Sequence, residues 1–228
     1  RFARNVPVDD ADYLERSYQA ELSLIGLGNP SGDRFLYAEG NYSNQLQLNV
    51  PLTDKATATF GFIGTDTKDP TSTRKTNAAT PIKPTQTAAI NTSSNIVRLR
   101  VTKVDETGIT TCFKDLTVTL GNGVTPDKCL GTLGASNINF GLFTVDIEGQ
   151  IAFTDEEVAK AVRANTTVTM ELILKNGDGG IAFDFPSMTL GDGTLEFPVN
   201  ESVLMNLSGE IFEDATLFTR GVGDTTDI

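Results

Sequence analysis

From Phe143 to Lys175 the spacing of apolar residues changes twice, and that change limits the fold more than any other feature of the chain. Phe143, Val145, Ile147, Ile151 and Phe153 share one side, with Thr144, Asp146, Glu148 and Gln150 on the other. A period of two is a half-buried strand. Thr154-Asp155-Glu156-Glu157 then has capping-box spacing, with Thr154 as N-cap and Glu157 at the third helical position. Phe153 and Val158 stand where a hydrophobic staple would. Acidic residues open this helix and Lys160 and Arg163 close it, as the macrodipole favours. Val158, Ala161 and Val162 form a narrow apolar stripe, and Asn165 suits the C-cap. Val168, Met170, Leu172 and Leu174 then restore period two against Thr167, Thr169, Glu171 and Lys175. The spacing predicts a strand, one short helix over about 155–164, and a strand. The helix lies against a sheet with Lys160 turned outward.

Helix signals elsewhere are few, whereas short alternating runs recur. Glu21 to Leu27 and Phe35 to Ala38 read as strands. Leu46, Leu48 and Val50 alternate with Gln45, Gln47 and Asn49 up to Pro51, and Ala56 to Ile63 is the expected hairpin partner. Val97, Leu99 and Val101 make a strand whose outer face carries Arg98 and Arg100. Leu116, Val118 and Leu120 make another, and Gly131 to Ala135 reads as a tight connection into the strand–helix–strand unit. Asn176 to Gly180 is a hairpin turn leading to Ile181, Phe183 and Phe185. Gly191-Asp192-Gly193 turns the chain again before Val203, Met205, Leu207 and Ile211, and 215–220 adds a last strand. About eight to eleven short strands with one helix predict a mainly β chain, an antiparallel sandwich or barrel. The whole of 1–228 is read as one domain, with 1–19 an N-terminal arm holding a helical turn near Ala11 to Tyr18.

Two features ask for partners. Residues 64–95 contain only Ile82 and Ile90 as large aliphatics, among Thr, Ala, Asn and Pro, with the cations Lys68, Arg74, Lys75 and Lys83. So long a loop in a compact domain is either a floppy insertion or functional, an arm that orders against a neighbouring copy. Charge is also uneven: residues 1–104 hold 12 Lys/Arg and 10 Asp/Glu, while 105–228 hold 6 and 20. An acidic half gives solubility, or complementarity between copies, or a surface that does not hold nucleic acid. With a net charge of −12, sequence-specific DNA binding is disfavoured.

The chain has no His, which excludes Ser-His-Asp and Cys-His catalysis and His-based metal sites. No phosphate-binding loop is present, and Gly26 to Gly32 has the wrong spacing for a dinucleotide fingerprint. Asp178 and Asp192 occupy Gly-rich turns without the pattern of a calcium loop. No enzyme, metal or cofactor is called for. Cys112 and Cys129 read as free thiols, although a disulfide between them is possible. No apolar run of 18 residues exists, so no membrane span is expected.

The order of several segments resembles a tail tube protein of long-tailed bacteriophages. They are Gly40 to Val50 followed by Thr57 to Gly64, Lys114 to Leu120, and Gly131 to Ala135. Asn139 to Val145 with the Phe153–Asn165 helix comes next, then Asp184 to Ser187. The resemblance spans roughly residues 36–212. It implies a β-sandwich flanked by one helix, a long inter-strand loop, and homo-hexameric rings stacked into a hollow tube in the virion tail. Assembly would occur in the host bacterial cytoplasm, with other tail proteins at the tube ends and phage DNA passing without specific binding. On this expectation Lys68, Arg74, Lys75, Lys83, Arg98 and Arg100 are subunit-interface candidates, and Asp146, Glu148, Glu171 and Glu210 line the lumen. The alternatives are a tube protein of a contractile or secretion system, a secreted β-sandwich module for glycans or calcium, and a carboxylate-pair glycosidase. Low aromatic content, 7% without Trp, weighs against the last two.

Overall fold

The computed structural model of the protein describes residues 15–26, 32–76, 80, 83, 88–103, 112–153, 156–177, 179–212 and 216–220. Its strands are β1 (Tyr18–Leu24), β2 (Arg34–Pro51), β3 (Thr57–Ile63), β4 (Asp66–Thr67), β5 (Ile96–Lys103), β6 (Cys112–Gly121) and β7 (Thr125–Asp127). They continue as β8 (Asn137–Asn139), β9 (Thr144–Ala152), β10 (Thr167–Asn176), β11 (Gly179–Glu196), β12 (Leu204–Ile211) and β13 (Thr216–Arg220). The helix α1 (Glu156–Arg163) lies between β9 and β10. All pairings are antiparallel, in the order β1-β2-β6-β9-β12-β11-β10-β5, with β3 and β4 on β2 and β13 on β11. The sheet does not close into a barrel. It bends over a single apolar cluster, in the manner of a sandwich.

Strict alternation decides which face is buried. Leu48, Val118 and Ile147 stand side by side across β2, β6 and β9, and all are buried. Val101, Met170 and Phe185 do the same across β5, β10 and β11. The helix buries Val158 and Ala161, while Val162 is only half-buried and packs against Gly193 of β11. Lys160 points outward and binds Glu156 at 2.7 Å and Glu157 at 2.9 Å. At the C-terminus Thr166 N–H donates to the Ala161 carbonyl and Asn165 N–H to that of Val162, with Asn165 at φ 49°. That is a Schellman ending, with Asn in the left-handed position as expected from sequence. The capping box at Thr154 and Asp155 lies outside the described residues.

Several sequence expectations change in the structure. The runs at 35–38 and 45–50 are one 18-residue strand, β2, bent at Gly40 (φ 59°) and shifted in register near Ser43. Gly191-Asp192-Gly193 is not a turn between strands. β11 runs through it to Glu196, absorbing Asp192 (φ 67°) and Gly193 (φ 75°) as a register shift against β12. The strands flanking α1 are not sheet neighbours either. β9 sits between β6 and β12, and β10 between β5 and β11, so the helix links separated parts of the sheet. No helical turn forms at Glu15 to Tyr18, where β1 begins; residues 1–14 lie outside the description.

The first half of β2 leaves the body of the sheet. Residues 34–41 pair with β1 on one side and with β4 on the other, forming a small wing. Asn41 is buried where wing and body join, and its amide donates to the Tyr18 and Ala38 carbonyls at 3.1 and 2.7 Å.

Candidate functional site: surfaces for assembly

The outer face of the body is a polar platform. Antiparallel register aligns Thr59, Gln47, Thr119, Asp146, Glu210 and Thr189 across six strands. The next row is Thr57, Asn49, Thr117, Glu148, Ser208 and Gly191. Neither row contains Lys or Arg. Except on β3, whose Ala58 and Phe60 stay exposed, the rows alternate with buried residues, so the pattern that fills the core also builds the platform. Below the rows, Gln150 donates its amide to Glu196 at 3.2 Å and to Asn206 at 3.0 Å, and Asn206 donates to Glu196 at 2.8 Å. The platform offers acceptors and carboxylates over a broad, shallow surface. It suits repulsion of polyanions, not their capture.

Of the four lumen candidates, the structure brings Asp146, Glu148 and Glu210 together here and separates Glu171 from them. Glu171 lies on β10 between Arg100 and Asp184, and Arg98 donates to it at 2.9 Å. Burial, together with the charge of Glu171, pushes the Asp184 carboxyl above its usual range. Arg98 and Arg100 belong to β5, which among the described residues is bonded on one edge only.

Lys68, Arg74 and Lys75 of the 64–95 stretch have partners inside the chain. Arg74 Nε donates to both oxygens of Glu21, at 2.8 and 3.0 Å. Tyr37 donates its hydroxyl to Glu21 at 3.0 Å and accepts the Lys75 N–H at 2.9 Å. Lys75 reaches Glu39 and sits 4.7 Å from the centre of the Tyr37 ring. Lys68 binds Asp66 and approaches Glu39 at 3.9 Å. Burial would raise the Glu21 carboxyl, but the bonds from Arg74, Ser23 and Tyr37 outweigh it and hold Glu21 below its usual range. The hydrogen bond with Lys68 lowers Asp66 and raises Lys68. Lys83 is exposed.

So the start of the long loop is sheet. Thr65, Lys68 and Thr71 donate backbone N–H groups to Glu39, Tyr37 and Phe35 carbonyls. The far end is fixed too: Ala56 N–H donates to Ile90, Thr92 to Asp54, and Lys175 to Asn95. Composition alone suggested a segment with nothing of its own to order it. Backbone pairing, which composition does not register, ties the start to β2 and the far end to the β2–β3 turn and β10.

Sequence reasoning overlooked residues 122–143, an excursion between β6 and β9 that includes the β7–β8 hairpin. Gly131 to Ala135, read as a connection, is its turn. The signal was present in Leu130 and Leu133, two leucines flanked by glycine with no alternation to bury them.

A family model for phage tail tube protein matches residues 7–213. The chain belongs to the phage tail tube protein family. No curated protein matches it. Membership of the tail tube family makes it a structural component of the virion tail whose copies associate with one another and with other tail proteins. A structural tail tube protein needs no catalytic centre. Among the described residues no helix is long and apolar enough to cross a membrane, and no three metal-ligating side chains converge.

Proposed function

We propose that copies of this chain form rings of six that stack into a hollow tube, and that the platform of Asp146, Glu148 and Glu210 faces the DNA delivered through it. The observation that carries this is the platform itself: two rows across six strands without a cation. Basic groups on such a wall would bind phosphates by releasing counterions and retard the DNA. Arg98 and Arg100 on the open edge of β5, with Lys83, remain as contacts to neighbouring copies. Lys68, Arg74 and Lys75 act indirectly, by fixing the wing. Glu171 goes with the interface in place of the lumen.

Negative-stain microscopy of concentrated protein tests assembly, with hollow tubes expected and featureless monomers contradicting it. Asp146→Lys, Glu148→Lys and Glu210→Lys combined tests the wall. Tubes should persist and acquire salt-sensitive affinity for duplex DNA. Tubes that gain none would place the platform on the outside.

A further inference from the structure

Large apolar side chains exposed among the described residues include Tyr18, Leu22 and Ile25 at the wing, Phe60 and Phe62 on β3 and Val97 on β5, and two further groups that the strand register sets at opposite ends. One is the tip of the 122–143 excursion, where Leu130 and Leu133 are 106% and 98% exposed. Its root is firm. Val124 N–H donates to Asn44 Oδ1 at 2.7 Å, the Asn122 amide to the Ser43 carbonyl at 2.9 Å, and Ala135 N–H to the Thr65 carbonyl at 2.8 Å. Phe140 packs edge-on against Tyr42 at 5.2 Å. Gly141 crosses so close to Gly123 that a Cβ there would stand 2.7 Å from the Gly123 carbonyl oxygen. The excursion leaves β6 at Gly121, beside Gln45 and Thr144.

The other place is formed by the β2–β3 and β11–β12 turns. Leu52, Phe197 and Val199 are exposed there by 53%, 72% and 86%. These turns adjoin the opposite end of β6, where Asp115 pairs with Pro51, Cys112 with Ala152, and Ala152 with Leu204. Nine residue steps along β6 separate the two ends, about 30 Å at strand spacing.

We infer that the Leu130/Leu133 tip of one copy seats on the Leu52/Phe197/Val199 end of the next, making a head-to-tail contact. The inference rests on the tube reading, since family membership supplies the partner: a second copy of this chain. A patch that binds itself closes as a dimer, whereas an open-ended polymer needs two different complementary surfaces. The tip and the seat differ from each other and lie at opposite ends, as such a polymer requires. Fully exposed leucines on an ordered hairpin are unusual for a surface facing only water. A rooted tip loses little freedom on docking. Glu196, the charge next to Phe197, is already bonded by Gln150 and Asn206.

The test uses a tip variant, Leu130→Ser with Leu133→Ser, and a seat variant, Phe197→Ser with Val199→Ser. Each alters exposed positions, and circular dichroism checks the fold. Each alone should fail to elongate, needing at least about tenfold more protein to form tubes. Mixed equally, they should join in pairs of assembly units and stop, because one partner retains a tip and the other a seat. Elongation by either variant alone, or a mixture that does not pair, overturns the inference while leaving the tube reading intact. A wild-type chain that never polymerises overturns the tube reading and this contact with it. The native thiols give a second check. Cys129 adjoins the tip, Cys112 adjoins the seat, and both are free and exposed. A bismaleimide should link assembled wild-type protein into a ladder that Cys112→Ser or Cys129→Ser removes. Cross-linked dimers in either single-cysteine variant would indicate like-to-like contact and count against the proposal.

Discussion

The body and the wing are both antiparallel sheet, and one strand, β2, belongs to each, yet different forces hold them. In the body, Leu172, Leu174, Phe185, Met188 and Met205 are excluded from water on a continuous apolar interior. In the wing the only buried apolar side chains among the described residues are Phe35 and Tyr37, and partly exposed charge pairs surround them. Its other face, with Leu22, Leu24 and Leu36, is at least partly open. A sheet so small is marginal by itself. The body folds through its apolar faces, whereas the wing is held together, and to residues 64–76, by directional bonds that water, salt and protons can compete for.

Removing body core should have the largest effect. Phe185→Ala should cost about 3–5 kcal/mol in urea unfolding, with body and wing melting together. A cost below about 1 kcal/mol would mean that the body is not held by its apolar interior. Asn165→Ala places alanine at a left-handed φ and should cost about 1 kcal/mol, whereas Asn165→Gly should be near neutral. Equal losses in both would show that the Schellman geometry is not what ends α1.

Smaller effects should separate the wing from the body. Glu21→Gln weakens the bonds to Arg74, Ser23 and Tyr37. Amide exchange should quicken in β1 and at residues 35–39, with the urea midpoint unchanged. A lowered midpoint would make the wing part of the cooperative core. The last test uses acid. Because the folded-state pKa of Glu21 is depressed, its contribution is complete above the ordinary carboxylate value and is lost as pH falls through the lowered one. Asp184 in the body is raised, so protonating it in the same acid range favours the folded form. Between about pH 6 and about pH 2, protection, taken as exchange relative to the intrinsic rate at each pH, should be lost first in β1. A body that opens before the wing would reverse the comparison.

Where a side chain's fate follows from its own neighbours, the sequence was legible. Period two located β6, β9, β10 and β12 and chose their buried faces, and the same alternation put Asp146 and Glu148 on one face. Asn165 declared the end of α1. Long-range pairing was not legible. Nothing in Thr65 to Thr71 shows that these residues will bond to Phe35, Tyr37 and Glu39, because a backbone ladder accepts almost any side chain. The partition of Glu171 from the other acidic candidates failed for the same reason: it depends on which strands become neighbours. Arg74 finding Glu21 is also beyond local reading, since 53 positions separate them.

The continuity of β2 also settles how the molecule carries load. A pull on the wing along the strand reaches the body through Tyr42–Asn49, bonded to β3, and Gln45–Pro51, bonded to β6. Those bonds lie across the direction of pull, so they resist in shear and must fail together. The ion pairs from Arg74 and Lys75 can be opened one at a time. In an extending tether the fastening of the wing would yield first, and the strand beneath it would hold.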